Sequence, residues 1–426
     1  MVKLTNINKN KEGKKMILKE IEKFRNILKT KDNSDFSVTY KLNKKEGVFN
    51  WYPYAEGFSK PFVDNMIAYF KINKSHLVLD PFSGCGTTSL SCALRGIPSV
   101  SIEVNPFMTF ILKSKIESLE LNPELLEKKL VELKSIIKKQ KLFKIPSFLV
   151  EKEFFNKCNL EQALKIKQSI ENLNADKKIK DFFLVLLSSI IIKISDMIRA
   201  TDLRYRRTKQ EKLNVIDIYN EKVNKAIQDL KEVNFKLKTK TYFINSDIRT
   251  LSNGAENFLD KIDFFITSPP YLNGTNYERN TKLEMGFLDL INSESDLRKL
   301  RNEMITAGIN STKTKDRGKY NIEFIKPLIK EVEKKAYDKR IPLMVEGYFN
   351  DMNLALKNIF SMMDKGAKGV IVIGDSQFGG VHIETDLILA KICELNNLKV
   401  KSIESVRERR SHNGMKLRES LIFVEK

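Results

Sequence analysis

A glycine-containing loop spans Asp80 to Thr88 (DPFSGCGTT) and joins an apolar run at 77–79 to a helical pattern. Gly84 and Gly86 would let the backbone turn sharply and let a ligand approach main-chain amides where the helix begins. Ser89 occupies the third glycine position of the dinucleotide fingerprint, so the loop does not match that fingerprint fully. The loop therefore predicts a ligand site, and the acidic residues around it bear on the kind of ligand.

Three acidic residues follow predicted strands, where the strand tips of a parallel sheet would bring them together. Asp80 would repel a pyrophosphate but would accept hydrogen bonds from a ligand ammonium group. Glu103 ends the next strand, where a carboxylate can bind two ribose hydroxyls. Asp247 follows a third strand, where an adenine amino group could be read. Each acid alone could be a solvated strand end, but together they favour S-adenosylmethionine, which lacks phosphate, over a nicotinamide cofactor.

A Ser-Pro-Pro-Tyr segment, Ser268 to Tyr271, follows the buried-strand run at 264–267. Two prolines cannot continue a strand ladder, so the sheet should end there in a rigid, extended turn whose carbonyls are not used internally. Fixed carbonyl and hydroxyl acceptors can hold an amino group by its hydrogens and leave its lone pair directed at an electrophile. Tyr271 offers a ring face on which a base could stack. Alone, the segment would indicate a surface turn.

Taken together, the loop and the tetrapeptide resemble the S-adenosylmethionine-dependent amino-methyltransferases of DNA, which modify the exocyclic nitrogen of cytosine or adenine. A preceding block, from Trp51 to Ile67, is similar to the family segment that closes over the methionine end of the cofactor. The tail with Asn273, Tyr277 and Glu284, and the ending at 418–423, also resemble the family. The resemblance covers about 46–110 and 241–426 of the chain.

The motifs and the resemblance define two sets of candidate site residues. The candidate catalytic residues are Ser268, Pro269, Pro270 and Tyr271. The candidate cofactor-binding residues are Tyr52, Asp80, Pro81, Phe82, Gly84, Gly86, Thr87, Glu103 and Asp247. The implied cofactor is S-adenosylmethionine.

The identity of the target base depends on two features of the family pattern. A serine that opens the tetrapeptide goes more often with cytosine N4, and aspartate or asparagine more often with adenine N6. The order of the blocks, loop before tetrapeptide, departs from the order common among cytosine-N4 enzymes and suits a target-recognition region between the motifs. The resemblance thus implies a site-specific methyltransferase of double-stranded DNA that acts on a flipped base, most often at cytosine N4. It would belong to a restriction-modification or related defence system, with or without a cognate restriction endonuclease.

Other functions are compatible with parts of the same pattern. Adenine N6, an amino group of RNA, and a non-catalytic DNA-binding subunit remain as alternatives. Cytosine C5 methylation would need a cysteine nucleophile, usually in a Pro-Cys pair. None of the four cysteines follows a proline, and this disfavours C5 chemistry.

Two basic clusters are candidate DNA contacts. The first, with Arg199 and Tyr205 beside it, consists of Arg204, Arg206, Arg207 and Lys209. The second is predicted to lie in a turn near the end of the sheet, with Arg407 and His412 beside it, and consists of Arg409 and Arg410. Such residues would position a duplex through its phosphates, although the first cluster could equally be the solvated face of a helix.

The elements that must position these residues follow from the apolar patterns. A helix is predicted at 62–70, and strands at 77–79, 99–104, 241–245, 264–267, 369–374, 400–406 and 421–424. Helices without strands are predicted between them at 123–141, 160–172, 180–199 and 216–233. The expected fold is α/β, a doubly wound, mostly parallel, seven-stranded Rossmann-like methyltransferase sheet with a large helical insertion.

Four segments follow from this pattern. Residues 1–45 form a basic helical extension, with apolar positions Met16, Ile17, Ile21, Phe24, Ile27 and Leu28. Residues 46–118 carry the first part of the catalytic domain, 119–240 the helical insertion and candidate target-recognition region, and 241–426 the second part of the catalytic domain.

Composition limits the remaining possibilities. The chain has 426 residues and a formal net charge of +21, which favours a polyanionic partner such as nucleic acid. It contains neither a run of the roughly 20 apolar residues needed to span a bilayer nor a signal-peptide pattern, so a cytoplasmic protein without membrane association is expected. Four cysteines and three histidines, without metal-ligand spacing, predict neither a metal site nor a disulfide framework.

Overall fold

The computed structural model describes residues 19–30, 38–199, 202–233, 239–312, 322–411 and 413–426. Met16, Ile17 and His412, which the sequence analysis singled out, lie outside these residues. The strands are β1 (Leu28–Thr30), β2 (Val78–Asp80), β3 (Ser99–Ile102), β4 (Met197–Arg199), β5 (Leu203–Tyr205), β6 (Thr241–Ile244), β7 (Ile262–Thr267), β8 (Met363–Gly374), β9 (Ser376–Phe378), β10 (Val381–Ile383), β11 (Lys399–Arg410) and β12 (Lys416–Glu425). All seven predicted strands are therefore confirmed, although β8, β11 and β12 extend four to six residues beyond one of their predicted ends.

The helices surround the sheet. They are α1 (19–27), α2 (Lys60–Tyr69), α3 (Thr87–Ala93), α4 (Pro106–Ser118), α5 (Pro123–Lys139), α6 (Lys157–Asn172), α7 (Lys177–Ser188), α8 (Ile191–Ile194), α9 (Val215–Glu232), α10 (Tyr277–Asn280), α11 (Lys282–Phe287), α12 (Glu294–Glu303), α13 (Lys326–Lys335), α14 (Ile341–Met362) and α15 (Thr385–Leu395). Their alternation with the strands confirms the predicted α/β class.

The main sheet has the strand order β1-β11-β12-β8-β7-β2-β3-β6. β12 is antiparallel to both its neighbours, whereas β8, β7, β2, β3 and β6 run parallel. From β2 the chain adds β3 and β6 on one side, then crosses to β7 and β8 on the other. The strand order therefore reverses between β2 and β7, and ligands of open α/β sheets bind at such a switch point.

The sheet has eight strands in the described residues, not the predicted seven, because the N-terminal extension contributes one. β1 pairs in parallel with β11 at the edge of the sheet, and α1 before it buries Ile21 and Phe24. Leu28 was predicted to belong to the helix but begins β1. Leu28 pairs with Ile403, far along the chain. The spacing of apolar residues within 1–45 could not predict this contact.

The prediction of a single helix over 180–199 is wrong. α7 ends at Ser188 and β4 begins at Met197, in a hairpin with β5. The Ser188 and Ser189 hydroxyls donate to the carbonyls of Leu184 and Leu186, and such bonds compete with a regular helical ladder. The region 119–240 thus contains a two-stranded ribbon, where only helices were expected.

The helices between 119 and 240 share one apolar core with the segments that form the sheet. Phe182 and Phe183 of α7 are fully buried, as are Phe107 and Ile111 of α4, and all four belong to the same cluster of buried residues. Trp51 joins it through an edge-on contact with Phe182, at 5.3 Å between ring centroids. The insertion is therefore fixed on the body by apolar packing.

The helices also bear on membrane association. Within the described ranges, no helix combines the length and the apolar character that crossing a bilayer requires.

Candidate active site

A cavity of about 300 Å³ lies at the switch point of the sheet. It is lined by the loop after β2 and by the tetrapeptide after β7, segments almost 190 residues apart in sequence. The candidate residues that line it are Asp80, Pro81, Phe82, Gly84, Thr87, Glu103, Asp247, Ser268, Pro269, Pro270, Tyr271 and Arg409. The structure thus brings most of the predicted cofactor and catalytic residues into one site.

Asp80 connects the two motifs. The Thr267 hydroxyl, immediately before the tetrapeptide, donates to Asp80 Oδ1 at 2.8 Å, and the Thr88 hydroxyl donates to Oδ2 at 2.7 Å. Burial raises the pKa of Asp80 to about 6, against the opposing effect of these hydrogen bonds. Oδ1 also accepts the Phe82 amide at 3.2 Å. The carboxylate is therefore held rigidly at the tip of β2, and the second lone pair of Oδ2 is left for a donor in the cavity.

Glu103 fixes the shape of the glycine loop. Its Oε2 accepts the Gly84 amide at 2.8 Å, and its Oε1 accepts the Asn105 amide at 2.9 Å. Burial raises the pKa of Glu103 to about 7, while the two amides lower it. A carboxylate in this position can still accept hydrogen bonds from a ligand diol, because each oxygen has two lone pairs.

Gly86 does not line the cavity but determines the turn into α3. Its φ is +85°, and a Cβ built on it would lie 2.7 Å from Leu112 Cβ. Gly366 has a similar φ of +78°, but nothing lies within 4 Å of the position that a Cβ would take there. The two glycines therefore separate the effect of backbone strain from that of close packing.

We expect Gly86→Ala to lower the free energy of unfolding by about 1–3 kcal/mol more than Gly366→Ala, because overpacking adds to the same left-handed strain. Leu112 Cβ is attached to the backbone of a buried helix and cannot move away cheaply. Chemical denaturation of both variants measures the difference. Equal losses would show that contact with Leu112 does not fix this residue as glycine.

Tyr52 lies behind the wall of the cavity. It is 1% exposed, and its hydroxyl donates to Glu284 Oε1 at 3.0 Å. Tyr54, two residues later, lines the cavity, and its ring lies 3.1 Å from the position of a Cβ on Gly84. Both tyrosines belong to the block predicted to cover the cofactor, and the structure puts Tyr54 at the surface that a ligand would touch.

Asp247 is paired within the chain. Arg249 Nη2 lies 2.7 Å from Asp247 Oδ2, and Arg249 Nη1 lies 2.7 Å from Asp351 Oδ1. Asp247 still lines the cavity beside Ile248. The second pair, between Arg249 and Asp351, could not be predicted from the sequence because Asp351 comes from α14, far along the chain.

The tetrapeptide is braced by two hydroxyls. The Tyr271 amide donates to the Tyr277 hydroxyl at 3.0 Å, and the Tyr271 hydroxyl donates to Glu419 Oε1 at 2.9 Å. Burial, and then the Glu419 charge, raise the pKa of Tyr271 well above its usual value. The ring is therefore a neutral, fixed surface at the cavity wall.

The C-terminal hairpin completes the cavity. Arg407, Arg409 and Glu419 line it, and Arg407 pairs with Glu419 across β11 and β12. The prediction of a turn at Arg409 and Arg410 is wrong, because β11 continues to Arg410, which pairs with Lys416. The only sequence indication of Glu419 was the family-like ending at 418–423, and its contact with Tyr271 could not be predicted.

The basic cluster of the insertion divides into exposed and anchored residues. Arg204, Arg207 and Lys209 are exposed, as is Arg410 of β11. Arg206 is half-buried, and its Nε donates to the Ser195 carbonyl at 3.1 Å. Lys209 pairs with Glu153 at 3.4 Å on the open surface.

Arg199, beside that cluster, is half-buried and bonded within the protein. It pairs with Glu284, whose side chain is fully buried, and it donates to the Tyr52 hydroxyl and to the Asn280 carbonyl. The ion pair joins the ribbon of the insertion to α10 and α11, the helices that follow the tetrapeptide. Its role is thus to attach the ribbon beside the cavity.

The doubly wound sheet brings the acid-lined loop and the Ser-Pro-Pro-Tyr segment to one switch point, as the resemblance to the amino-methyltransferases predicts. The chain is 25% identical, over 89% of its length, to the Type II methyltransferase M.BsoBI of Geobacillus stearothermophilus, of which the match covers 84%. It is 24% identical to M.AvaI of Nostoc sp. (86% of this chain, 82% of that protein) and 22% identical to M.MvaI of Kocuria varians (87% and 86%), both Type II methyltransferases. No family model matches the chain. The relatives confirm the predicted resemblance to the DNA amino-methyltransferases.

Proposed function

We propose that the protein is a site-specific DNA methyltransferase that transfers a methyl group from S-adenosylmethionine to N4 of a flipped cytosine. The observation that carries this proposal is the single cavity lined by both motifs, in which Thr267 links the tetrapeptide to Asp80. The Type II methyltransferase names of three relatives support DNA as the substrate and a restriction-modification system as the setting. A serine at the first position of the tetrapeptide supports cytosine.

The chemistry of the cavity fits the proposed cofactor. Its loop end presents the acids Asp80, Glu103 and Asp247, which suit an ammonium group, a ribose diol and an adenine amino group. Of the described residues that line the cavity, the basic ones are Arg407 and Arg409, and both belong to the hairpin that also holds Tyr271 through Glu419. Asp80 and Glu103 would hold the methionine and ribose parts, and the bound cofactor would supply an electrophilic methyl group.

The tetrapeptide would act mainly by positioning. The amino group of a base is a poor nucleophile, so its hydrogens would be accepted by Ser268 Oγ and the Pro269 carbonyl while Tyr271 stacks on the ring. Held in this way, the amino nitrogen directs its lone pair towards the cofactor side of the cavity. No covalent enzyme intermediate is required.

Cofactor affinity should rise with pH. At pH 5.5 the raised pKa values of Asp80 and Glu103, about 6 and about 7, leave both carboxyl groups largely protonated in the free protein. Ligand donors need the ionised forms, so the dissociation constant should fall as pH rises to 7.5, by up to about tenfold per pH unit for each carboxyl group that is still protonated.

Calorimetric titration with S-adenosylmethionine at several pH values measures this effect, and Glu103→Gln should flatten it between pH 6 and 7.5. A wild-type affinity that stays constant from pH 5.5 to 7.5 would contradict the assignment of these acids to the cofactor.

The ribbon of β4 and β5 is the proposed DNA contact of the insertion. Asp202, between its strands, pairs with Arg279 of α10 at 3.2 Å, and Tyr277 at the start of α10 lines the cavity. Arg204 and Arg207 are exposed on and beside this ribbon. A two-stranded ribbon can enter the major groove of a duplex, and here it would do so next to the site that receives the flipped base.

Replacing both Arg204 and Arg207 with alanine should weaken DNA binding and reduce the salt slope of log K by about 0.9 per lost phosphate contact. The matched control replaces both Lys365 and Lys368 with alanine. These exposed lysines lie near the start of β8, whereas the end of β8 at Gly374 lies beside the cavity. The control should leave the salt slope unchanged. Fluorescence anisotropy across a salt series measures both. An unchanged salt slope for the arginine variant would show that the ribbon does not contact the DNA phosphates.

Mapping of modified bases tests the function in a host that lacks DNA methylation of its own. Expression of the protein should place N4-methylcytosine at one short sequence throughout the genome, and expression of an Asp80→Ala variant should not. N6-methyladenine at one sequence would show that the target base is adenine and not cytosine. An unmodified genome would contradict the proposal. The same sequence then gives the substrate on which a cognate restriction endonuclease can be sought.

A further inference from the structure

Among the residues that line the cavity, Tyr40, Arg409 and Glu419 each have a buried polar atom without a hydrogen-bond partner among the described residues: Tyr40 Oη, and Arg409 Nε and Glu419 Oε2 of the C-terminal hairpin. Glu419 is 8% exposed. Buried polar groups are nearly always paired in native structures. Glu419 Oε2 still has an ionic contact with Arg407, whereas the Arg409 Nε donor beside the ligand cavity has no acceptor, which indicates that part of the ligand completes the site.

The position of Arg409 is fixed by the protein around it. Its Nη2 donates to the Asp375 carbonyl at 3.0 Å, and its guanidinium carbon lies 6.0 Å from the centroid of the Tyr271 ring. A Cβ on Gly374 would lie 2.7 Å from Arg409 Nη2 and 3.1 Å from two Tyr271 ring carbons. The guanidinium and the ring thus pack side by side on the same glycine, and Nε is held next to the surface on which a base would stack.

We propose that Arg409 binds the ring edge of the flipped base, donating its Nε–H to the ring nitrogen adjacent to the amino group. This inference rests on the proposed function and names a further contact within its site. In cytosine that ring nitrogen, N3, is an acceptor, and N1 of adenine has the same character. In thymine and guanine the corresponding nitrogen carries a hydrogen, which would face the guanidinium donor. Arg409 therefore selects cytosine or adenine, in which the ring nitrogen on this edge is an acceptor.

Glu419 has a supporting position in this arrangement. It accepts the Tyr271 hydroxyl, and its Oε2 lies 3.6 Å from Arg407 Nη1. It fixes the ring against which the base and Arg409 are aligned, so it is a positioning residue.

A double-mutant cycle between Arg409 and the base tests the contact. Methyl transfer is measured on two duplexes with the mapped recognition sequence, one with cytosine at the target and one with 3-deazacytosine, in which C–H replaces N3. If mapping identifies adenine, 1-deazaadenine takes this place. Arg409→Met should lower kcat/KM on the natural base by roughly 10- to 100-fold, the value of a hydrogen bond from a charged donor, but should lower it little on the deaza base.

The outcomes separate this inference from the proposed function. Losses of equal size on both bases would overturn the Arg409 contact while methylation of the natural base by the wild type still supported the function. A wild type that methylates neither base would overturn both. If Arg409→Met does not fold, Arg409→Lys takes its place, because lysine keeps the charge but holds its donor at another position. Equal losses of kcat/KM on both bases would again overturn the contact. Lys401→Met, on the same strand but exposed and paired with Glu425, is the matched control and should leave both rates unchanged.

Discussion

Ser268→Ala should lower kcat for methyl transfer by about 10²- to 10³-fold, the cost of removing one preorganised polar contact to the reacting group. The serine hydroxyl is proposed to accept a hydrogen of the target amino group, so its loss leaves the nitrogen free to rotate and conjugate with the ring. The loop that would bind the cofactor follows a different strand, β2, and is untouched. Cofactor affinity should therefore stay within about twofold of the wild type.

Single-turnover methylation and calorimetric cofactor titration measure the two effects separately. Ser295→Ala, an exposed serine at the start of α12, is the control and should behave as the wild type. Wild-type turnover by Ser268→Ala would remove the hydroxyl from the chemistry. A loss of cofactor binding instead of turnover would place Ser268 on the wrong side of the cavity.

Arg199→Met should lower the free energy of unfolding by about 3–5 kcal/mol, because it leaves the Glu284 carboxylate buried without its cationic partner. Glu284 has a fully buried side chain, and its Oε2 already lacks a partner among the described residues. Burial also raises the pKa of Glu284, and Arg199 opposes that shift. The pair therefore matters more for the stability of the ribbon than for any contact with DNA.

The double variant with Arg199→Met and Glu284→Gln should recover part of the loss, since neither group is then charged. Lys178→Met, which breaks an exposed pair with Glu120, is the control and should cost at most about 1 kcal/mol. Urea unfolding of the four proteins gives the comparison. A loss for Arg199→Met no larger than that of the control would show that the pair does not hold the insertion in place.

The strands that position the site could be predicted because each is a short apolar run bounded by polar or turn residues. β1, with the sequence Leu-Lys-Thr, has no such run and is a strand only because it pairs with β11. The ribbon of β4 and β5 was not predicted for a similar reason. Arg199, at the end of β4, bonds to Glu284, which lies 85 residues further along the chain. Long-range contacts of this kind have no local sequence pattern.

The site itself was predictable where one segment carries the chemistry. The loop after β2 and the tetrapeptide after β7 each contain their functional groups in a few consecutive residues. Arg409 and Glu419 reach the same cavity through the register of β11 and β12, in which Arg407 faces Glu419 and Arg409 faces Leu417. That register includes a bulge between Ser405 and Arg407, and a one-residue change would turn these side chains to the other face.

The most direct test of the central claim is the chemical identity of the methylated nucleoside. Purified protein is incubated with S-adenosylmethionine labelled on its methyl group and with double-stranded DNA that contains the mapped sequence, and the DNA is digested to nucleosides for mass spectrometry. The label should appear in N4-methylcytosine with the wild type and be strongly reduced with Ser268→Ala. Label in 5-methylcytosine, or no label in DNA, would contradict a site in which Ser268 to Tyr271 present an amino group to the cofactor.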